Sequence, residues 1–201
     1  MFKKIFAAAT ILATSSSSFA SGFYLGAGMG ADSFDNKATI NDATAQFNNT
    51  GVLGSLFAGY QYNFTNGFNL GAEAFANTTT AKIINHAYIP PATSEAHYNY
   101  GLRVLPGYNI TPYIEAHLIS GFVRGNFQDQ FGEFATKKTF NINGFQVGLG
   151  TSAMATKNIA IRGDVIYSGY HSHTVTDAFD NVFQNKIHTV DAILSAMYKF
   201  G

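Results

Sequence analysis

The sequence predicts an all-β chain of eight antiparallel strands, closed up-and-down into a transmembrane β-barrel with three short turns at one end and four long connections at the other. Three observations predict it. Apolar residues recur at every second position in eight stretches from residue 22 to the C-terminus. Most ionisable residues within those stretches fall on the opposite parity. Charged residues make up only 12% of the chain, against about 25% in a soluble domain. A large part of the surface is therefore expected to avoid water.

The first 20 residues, MFKKIFAAATILATSSSSFA, stand apart. Lys3 and Lys4 precede a short apolar run, and Ser18-Phe19-Ala20 supplies small residues at the −3 and −1 positions of a cleavage site. This is the pattern of a secretory signal peptide, too short for a membrane anchor. The expected organisation is a cleaved signal peptide, 1–20, and a barrel, 21–201. The chain without that peptide carries a net charge of −2, with neither a basic face for nucleic acid nor an acidic tail. The absence of Cys excludes disulfides and thiolate metal sites.

Period two defines each strand. GFYLGAGMGAD places Phe23, Leu25, Ala27, Met29 and Ala31 opposite Tyr24, Gly26, Gly28, Gly30 and Asp32. GVLGSLFAGYQYNF sets Val52, Leu56, Ala58, Tyr60, Tyr62 and Phe64 against Ser55, Gly59, Gln61 and Asn63. In FNLGAEAFAN, Leu70, Ala72, Ala74 and Ala76 oppose Asn69, Gly71, Glu73 and Asn77. HYNYGLRVLPGYN, PYIEAHLISGF, NGFQVGLGTSA, IAIRGDVIYS and TVDAILSAMYKF continue the rule. Each run is roughly 10 residues, the length a tilted strand needs to cross a bilayer. Leu53, Phe57, Phe75, Ile166, Ile193 and Met197 break the pattern as apolar residues on the polar face; a barrel interior absorbs a few such side chains as packing. Pro106 is expected near a strand end, where a missing ladder donor is tolerated.

The connections alternate in length. Thr65-Asn66-Gly67, Ile110-Thr111-Pro112 and Ala155-Thr156-Lys157-Asn158 carry turn chemistry. Residues 33–50, 78–96, 124–139 and 169–185 are expected as long loops. Short turns on one side and long loops on the other mark an outer-membrane barrel, with both termini on the periplasmic side.

The parity of the charges fixes which face is inside. Glu73, Arg103, Glu115, His117, Arg162, Asp164, Asp191 and Lys199 share one face. A soluble eight-stranded barrel would keep its apolar face inside; the opposite arrangement in water would expose an apolar band far beyond the few hundred Å² a monomer tolerates. The ionisable set is therefore expected in the lumen as a charge network. Glu73 is expected to pair with Arg103, with Glu115 next along, and Arg162, Asp164, Asp191 and Lys199 are expected to form a second cluster between the last two strands. A lone carboxylate there would cost several kcal/mol unless paired. Tyr62, Phe64, Phe68, Tyr108, Tyr198 and Phe200 near the short turns, and Tyr98 and Tyr100 nearer the loops, are expected as aromatic girdles.

SGFYLGAGMG, NLGAEAFAN, GLRVLPGYNITPYIEA and IRGDVIYSGY together resemble the opacity/OmpA-like eight-stranded outer-membrane barrel family. The final strand, AILSAMYKF, resembles the terminal assembly signal of such barrels through Tyr198 and Phe200, although Gly201 follows the aromatic here. The resemblance implies a Gram-negative outer membrane, insertion by the barrel assembly machinery, and contact with outer-membrane lipid or lipopolysaccharide. No cell-wall tether domain is expected after the barrel.

Three function classes fit this fold. A monomeric surface protein would anchor loops for envelope integrity, adhesion or host contact, needing no cofactor or metal. A small porin would conduct through the lumen, but water-filled lumens belong to barrels of roughly 16 strands. An enzyme would need a base, and the candidates are His171 and His173 around Ser172 in GYHSHTVTD. No Glu follows them in that loop, and two histidines at i, i+2 supply only two metal ligands; His86 and His97 would have to converge with them. A non-enzymatic surface protein is the expected reading.

Overall fold

Strand formation follows the alternation, because one parity meets lipid and the other meets a packed interior. The computed structural model of the chain describes residues 21–40, 43–85, 92–131, 138–176 and 182–200. The expected signal peptide, His86, Pro90-Pro91 and Gly201 lie outside the described residues. Among the described residues ten strands run in chain order: β1 (Gly22–Ile40), β2 (Ala43–Asn63), β3 (Phe68–Thr79), β4 (Lys82–Asn85), β5 (Ala92–Thr111), β6 (Ile114–Phe131), β7 (Lys138–Met154), β8 (Ile159–Tyr170), β9 (His173–Thr176) and β10 (Val182–Phe200). The eight long strands pair antiparallel in sequence, and β10 returns to β1 from Phe23↔Phe200 to Thr39↔Gln184, closing the barrel. Among the described residues no helix crosses the membrane; the strands do.

The alternation is visible in burial. Every second residue of β3 from Asn69 to Asn77 is buried, and those between are exposed. On β1 the exposed apolar face runs from Phe23 to Ala31, a stretch of about 26 Å along the strand at about 3.3 Å per residue. Tilted at about 40°, this spans roughly 20 Å of bilayer, close to the lipid-facing band of such barrels.

The short turns are built by local side chains. Gly67 adopts φ +87°, a left-handed conformation that Gly reaches without steric cost, while Asn66 Oδ1 accepts from Phe68 N at 3.2 Å. Thr111 Oγ1 accepts from Ile114 N and Thr156 Oγ1 from Ile159 N, both at 3.0 Å. Pro106 pairs with Leu70 of β3 on one side. On its other side the β5–β6 ladder passes from Val104↔Ser120 to Gly107↔His117 without a partner for Pro106, as expected for a residue with no N–H.

The strands are longer than expected, 17–21 residues in six of the eight. Much of each segment expected as a loop is strand: β1 and β2 pair up to Ile40↔Ala43, and β6 and β7 up to Asp129↔Lys138. Hairpin pairing continues past the lipid band because backbone hydrogen bonds need no apolar face. The projecting part divides in two. β9, β10, β1 and β2 form one sheet, and β4, β5, β6 and β7 another. Among the described residues the two meet near the base, through hydrogen bonds such as Thr80 N to Val52 O and His171 N to Asn143 O, both at 3.0 Å, through Asn49 Nδ2 to the Lys82 carbonyl, and through the ring of Phe34 against that of Phe127.

Candidate functional site

An eight-stranded barrel has an interior just wide enough for side chains, so charges on different strands meet across it. Glu73 of β3 is the hub. Arg103 of β5, its register neighbour, donates through Nε to Glu73 Oε1 at 2.5 Å and also contacts it through Nη2. Arg162 of β8 reaches across the lumen and donates through Nη1 to Glu73 Oε2 at 2.6 Å. Its Nη2 lies 2.7 Å from Asp164 Oδ2. Asp164 Oδ1 meets His117 Nε2 at 3.0 Å, and His117 Nδ1 stands 3.6 Å from Glu115 Oε1. Glu115 Oε2 accepts from Gln61 Nε2 at 2.8 Å, and Gln61 Oε1 accepts from Lys199 Nζ at 3.0 Å. Three carboxylates and three permanent cations thus form one connected network with no net charge when His117 is neutral.

The residues beside this network explain its packing. Arg103 Cζ sits 4.8 Å over the Phe75 ring, and Arg162 Cζ 4.8 Å over the Phe57 ring. Desolvated contacts of this kind contribute about 2 kcal/mol. Phe57 and Phe75, two of the six apolar residues that broke the alternation, are therefore platforms for the guanidinium groups. Gly150 leaves the space that His117 and Asp164 occupy, since a Cβ there would overlap both. A void lined in part by Tyr24, Gln61, His117 and Arg162 measures about 10 Å³, room for no more than about one water.

Toward the long-loop end the filling turns apolar. Leu53, Leu105, Ile119, Ile166 and Ile193 form one buried cluster. In a second, Phe127 packs on Phe34 at 5.9 Å and on Tyr170 at 5.0 Å.

Asp191 departs from the expected grouping. It does not cluster with Arg162, Asp164 and Lys199. Asp191 and Lys199 are eight residues apart on one strand, about 26 Å at the strand rise. Arg162 instead turns to Glu73, and Lys199 to Gln61 and Glu115. Asp191 faces Asp32 across the β1–β10 ladder. Asp32 has the same parity as the charged set, in GADSF, but stands at the border of a segment expected as loop; parity alone gives no sign that Gln61, Phe57 and Phe75 take part in the network.

The girdle residues lie on the outer face. Tyr62–Phe64, Phe68–Tyr108 and Tyr198–Phe200 form edge-to-face pairs at 4.9, 5.0 and 4.9 Å near the short turns. Phe23–Tyr60 adds a fourth at 4.9 Å. Tyr98 stacks on Tyr100 at 6.5 Å at the other edge. Two of the candidate histidines, His97 and His171, have described side chains, and these are engaged separately. His171 Nδ1 meets the Asn143 carbonyl at 2.9 Å, and His97 Nε2 meets Gln128 Oε1 at 2.8 Å. Among the described residues no three His, Asp or Glu side chains are arranged to hold a metal.

A closed barrel with an apolar outside, aromatic belts and an ionised lumen defines a membrane-spanning β-barrel. The chain belongs to the outer membrane protein beta-barrel domain family, which it matches over residues 5–200, and it resides in the outer membrane of a Gram-negative bacterium. Its fold is similar to that of the outer membrane protein OprG from Pseudomonas aeruginosa, with 11% identity, a TM-score of 0.53, and 90% of this chain and 97% of that one covered. It is also similar to Neisserial surface protein A, with 15% identity, a TM-score of 0.49 and 89% and 97% covered. The outer membrane protease OmpT from Escherichia coli aligns at 8% identity and a TM-score of 0.48, with 94% and 100% covered. The sequence matches no curated protein.

Proposed function

We propose that the chain is a non-conducting, non-enzymatic surface barrel, secreted with its signal peptide removed, that holds projecting strand hairpins outside the membrane for envelope integrity or for adhesion to other cells. The observation that carries this reading is the filled lumen: a compensated charge network at one level and packed apolar clusters above it. Such an interior supports an anchor better than a pore, because an ion crossing it would have to break contacts buried to within a few per cent of complete. Against an enzyme stand the separate engagements of His97 and His171. The outer belt of Tyr and Phe suits lipid and lipopolysaccharide, the chain acts as a monomer, and Tyr198 and Phe200 at the last strand serve the assembly machinery.

Two measurements test this. In planar bilayers the folded protein should give no single-channel steps; discrete conductance would favour the small-porin reading. Shortening each projecting hairpin should lower adhesion, serum survival or envelope integrity while leaving the barrel folded. If none of these changes when any hairpin is cut, hairpin presentation is not the role.

A further inference from the structure

Asp32 and Asp191 form the one buried acidic pair outside the charge network among the described residues. They are register partners on β1 and β10, and their relative exposures are 1% and 0%. Neither has a cationic partner within ion-pairing distance among the described residues, in contrast to Glu73, which has two. The pair is walled by apolar residues. Ile193 and Leu53 flank the neighbouring Gly30, Ile166 is opposite Asp191, and Phe34 follows one lumen position on. Leu53, Ile166 and Phe34 are fully buried.

A second observation concerns hydrogen bonds. Asp32 Oδ1, both carboxyl oxygens of Asp191 and Thr189 Oγ1 (3% exposed, on the same face of β10) are buried without a well-formed hydrogen bond, the nearest donors being the hydroxyls of Thr79 beside Asp32 and Thr189 beside Asp191. Buried acceptors without donors are rare and costly. One carboxyl O–H between the two acids would supply a donor and remove one of two like charges.

We propose that Asp32 and Asp191 constitute a proton-binding site in the lumen, holding one proton between their carboxyls, so that the barrel gains stability as its surroundings acidify. The other ionisable groups facing the pair are a phenol, Tyr170 from β8, and a guanidinium, Arg103 from β5. The sign follows from linkage. In the unfolded chain both carboxyls ionise above about pH 4, while the folded pair keeps one proton. Folding then binds one proton, and the folding equilibrium constant falls about tenfold per pH unit from this site as pH rises above 5.

The test is urea unfolding of the mature barrel in zwitterionic micelles at pH 5, 6, 7 and 8, comparing wild type with Asp32→Asn and Asp191→Asn. Either variant should lose the one-proton share of the pH slope, a relative gain of about tenfold per unit of pH rise. Equal slopes in all three proteins would overturn the proposal, as would a slope that calcium or sodium chloride abolishes, which would mean that a metal cation sits between the acids. Should neither variant fold, infrared spectroscopy of the wild type decides: a protonated-carboxyl C=O stretch at pH 7 supports the site, and its absence refutes it.

Discussion

Replacing Glu73 with Gln should be among the most damaging isosteric changes in the barrel. Glu73 accepts from Arg103 Nε at 2.5 Å and from Arg162 Nη1 at 2.6 Å, and its side chain is fully shielded. Arg162 would keep Asp164 at 2.7 Å. Arg103 would keep no carboxylate within ion-pairing distance among the described residues, only the Phe75 face. Leaving one buried charge uncompensated costs about 3–5 kcal/mol, or roughly two to three and a half powers of ten in the folding constant. The assay is urea unfolding in micelles, followed by the mobility shift between folded and unfolded barrel on a cold gel, since the chain has no Trp to report fluorescence. The Glu73→Gln/Arg103→Met double variant removes the stranded charge and should recover part of the loss, with a coupling of about 1–3 kcal/mol. A Glu73→Gln barrel within about 1 kcal/mol of wild type, or strict additivity of the two changes, would refute the claim that the network holds the lumen together.

Two further outcomes follow from the outer face. Leu102 is 66% exposed and lies midway between Tyr98 and Tyr108 on the lipid side, so Leu102→Arg should cost about 2–4 kcal/mol in bilayer refolding, while the same change at a hairpin tip should cost almost nothing. Phe200→Ala should slow insertion by reconstituted assembly machinery, yet leave spontaneous refolding in micelles nearly unchanged; equal slowing of both would assign Phe200 to packing alone.

Much of this architecture is legible in the chain because lipid and lumen impose opposite demands on alternate residues. Val52, Leu56 and Ala58 have to face out when Ser55, Gly59 and Gln61 face in, so strand existence and sidedness follow together. Strand length is less legible. Beyond the lipid band the outer positions turn polar, as in Asn48 and Thr50, the alternation ends, and only hairpin pairing continues the strand. The lumen network was half legible. Glu73 and Arg103 meet because adjacent strands put them in register, which local pattern supplies. Arg162 reaches Glu73 from 89 residues away, a contact that depends on closure and on the width of the barrel. Parity also assigns a face without a neighbour, so Phe57 and Phe75 read as exceptions rather than as ring platforms. Asp32 sat on the correct face but at the brink of a segment expected as loop.

The division of the projecting strands has a consequence for how the exterior varies. The β1–β2 and β9–β10 hairpins share a continuous ladder, and among the described residues they meet the sheet made by β4 to β7 at its foot, through Asn49 and Lys82, Val52 and Thr80, and the rings of Phe34 and Phe127. A change of length beyond those contacts on one half therefore leaves the opposite half's ladder in place. Two panels thus stand on one rigid post, fastened to each other at the foot by an aromatic stack.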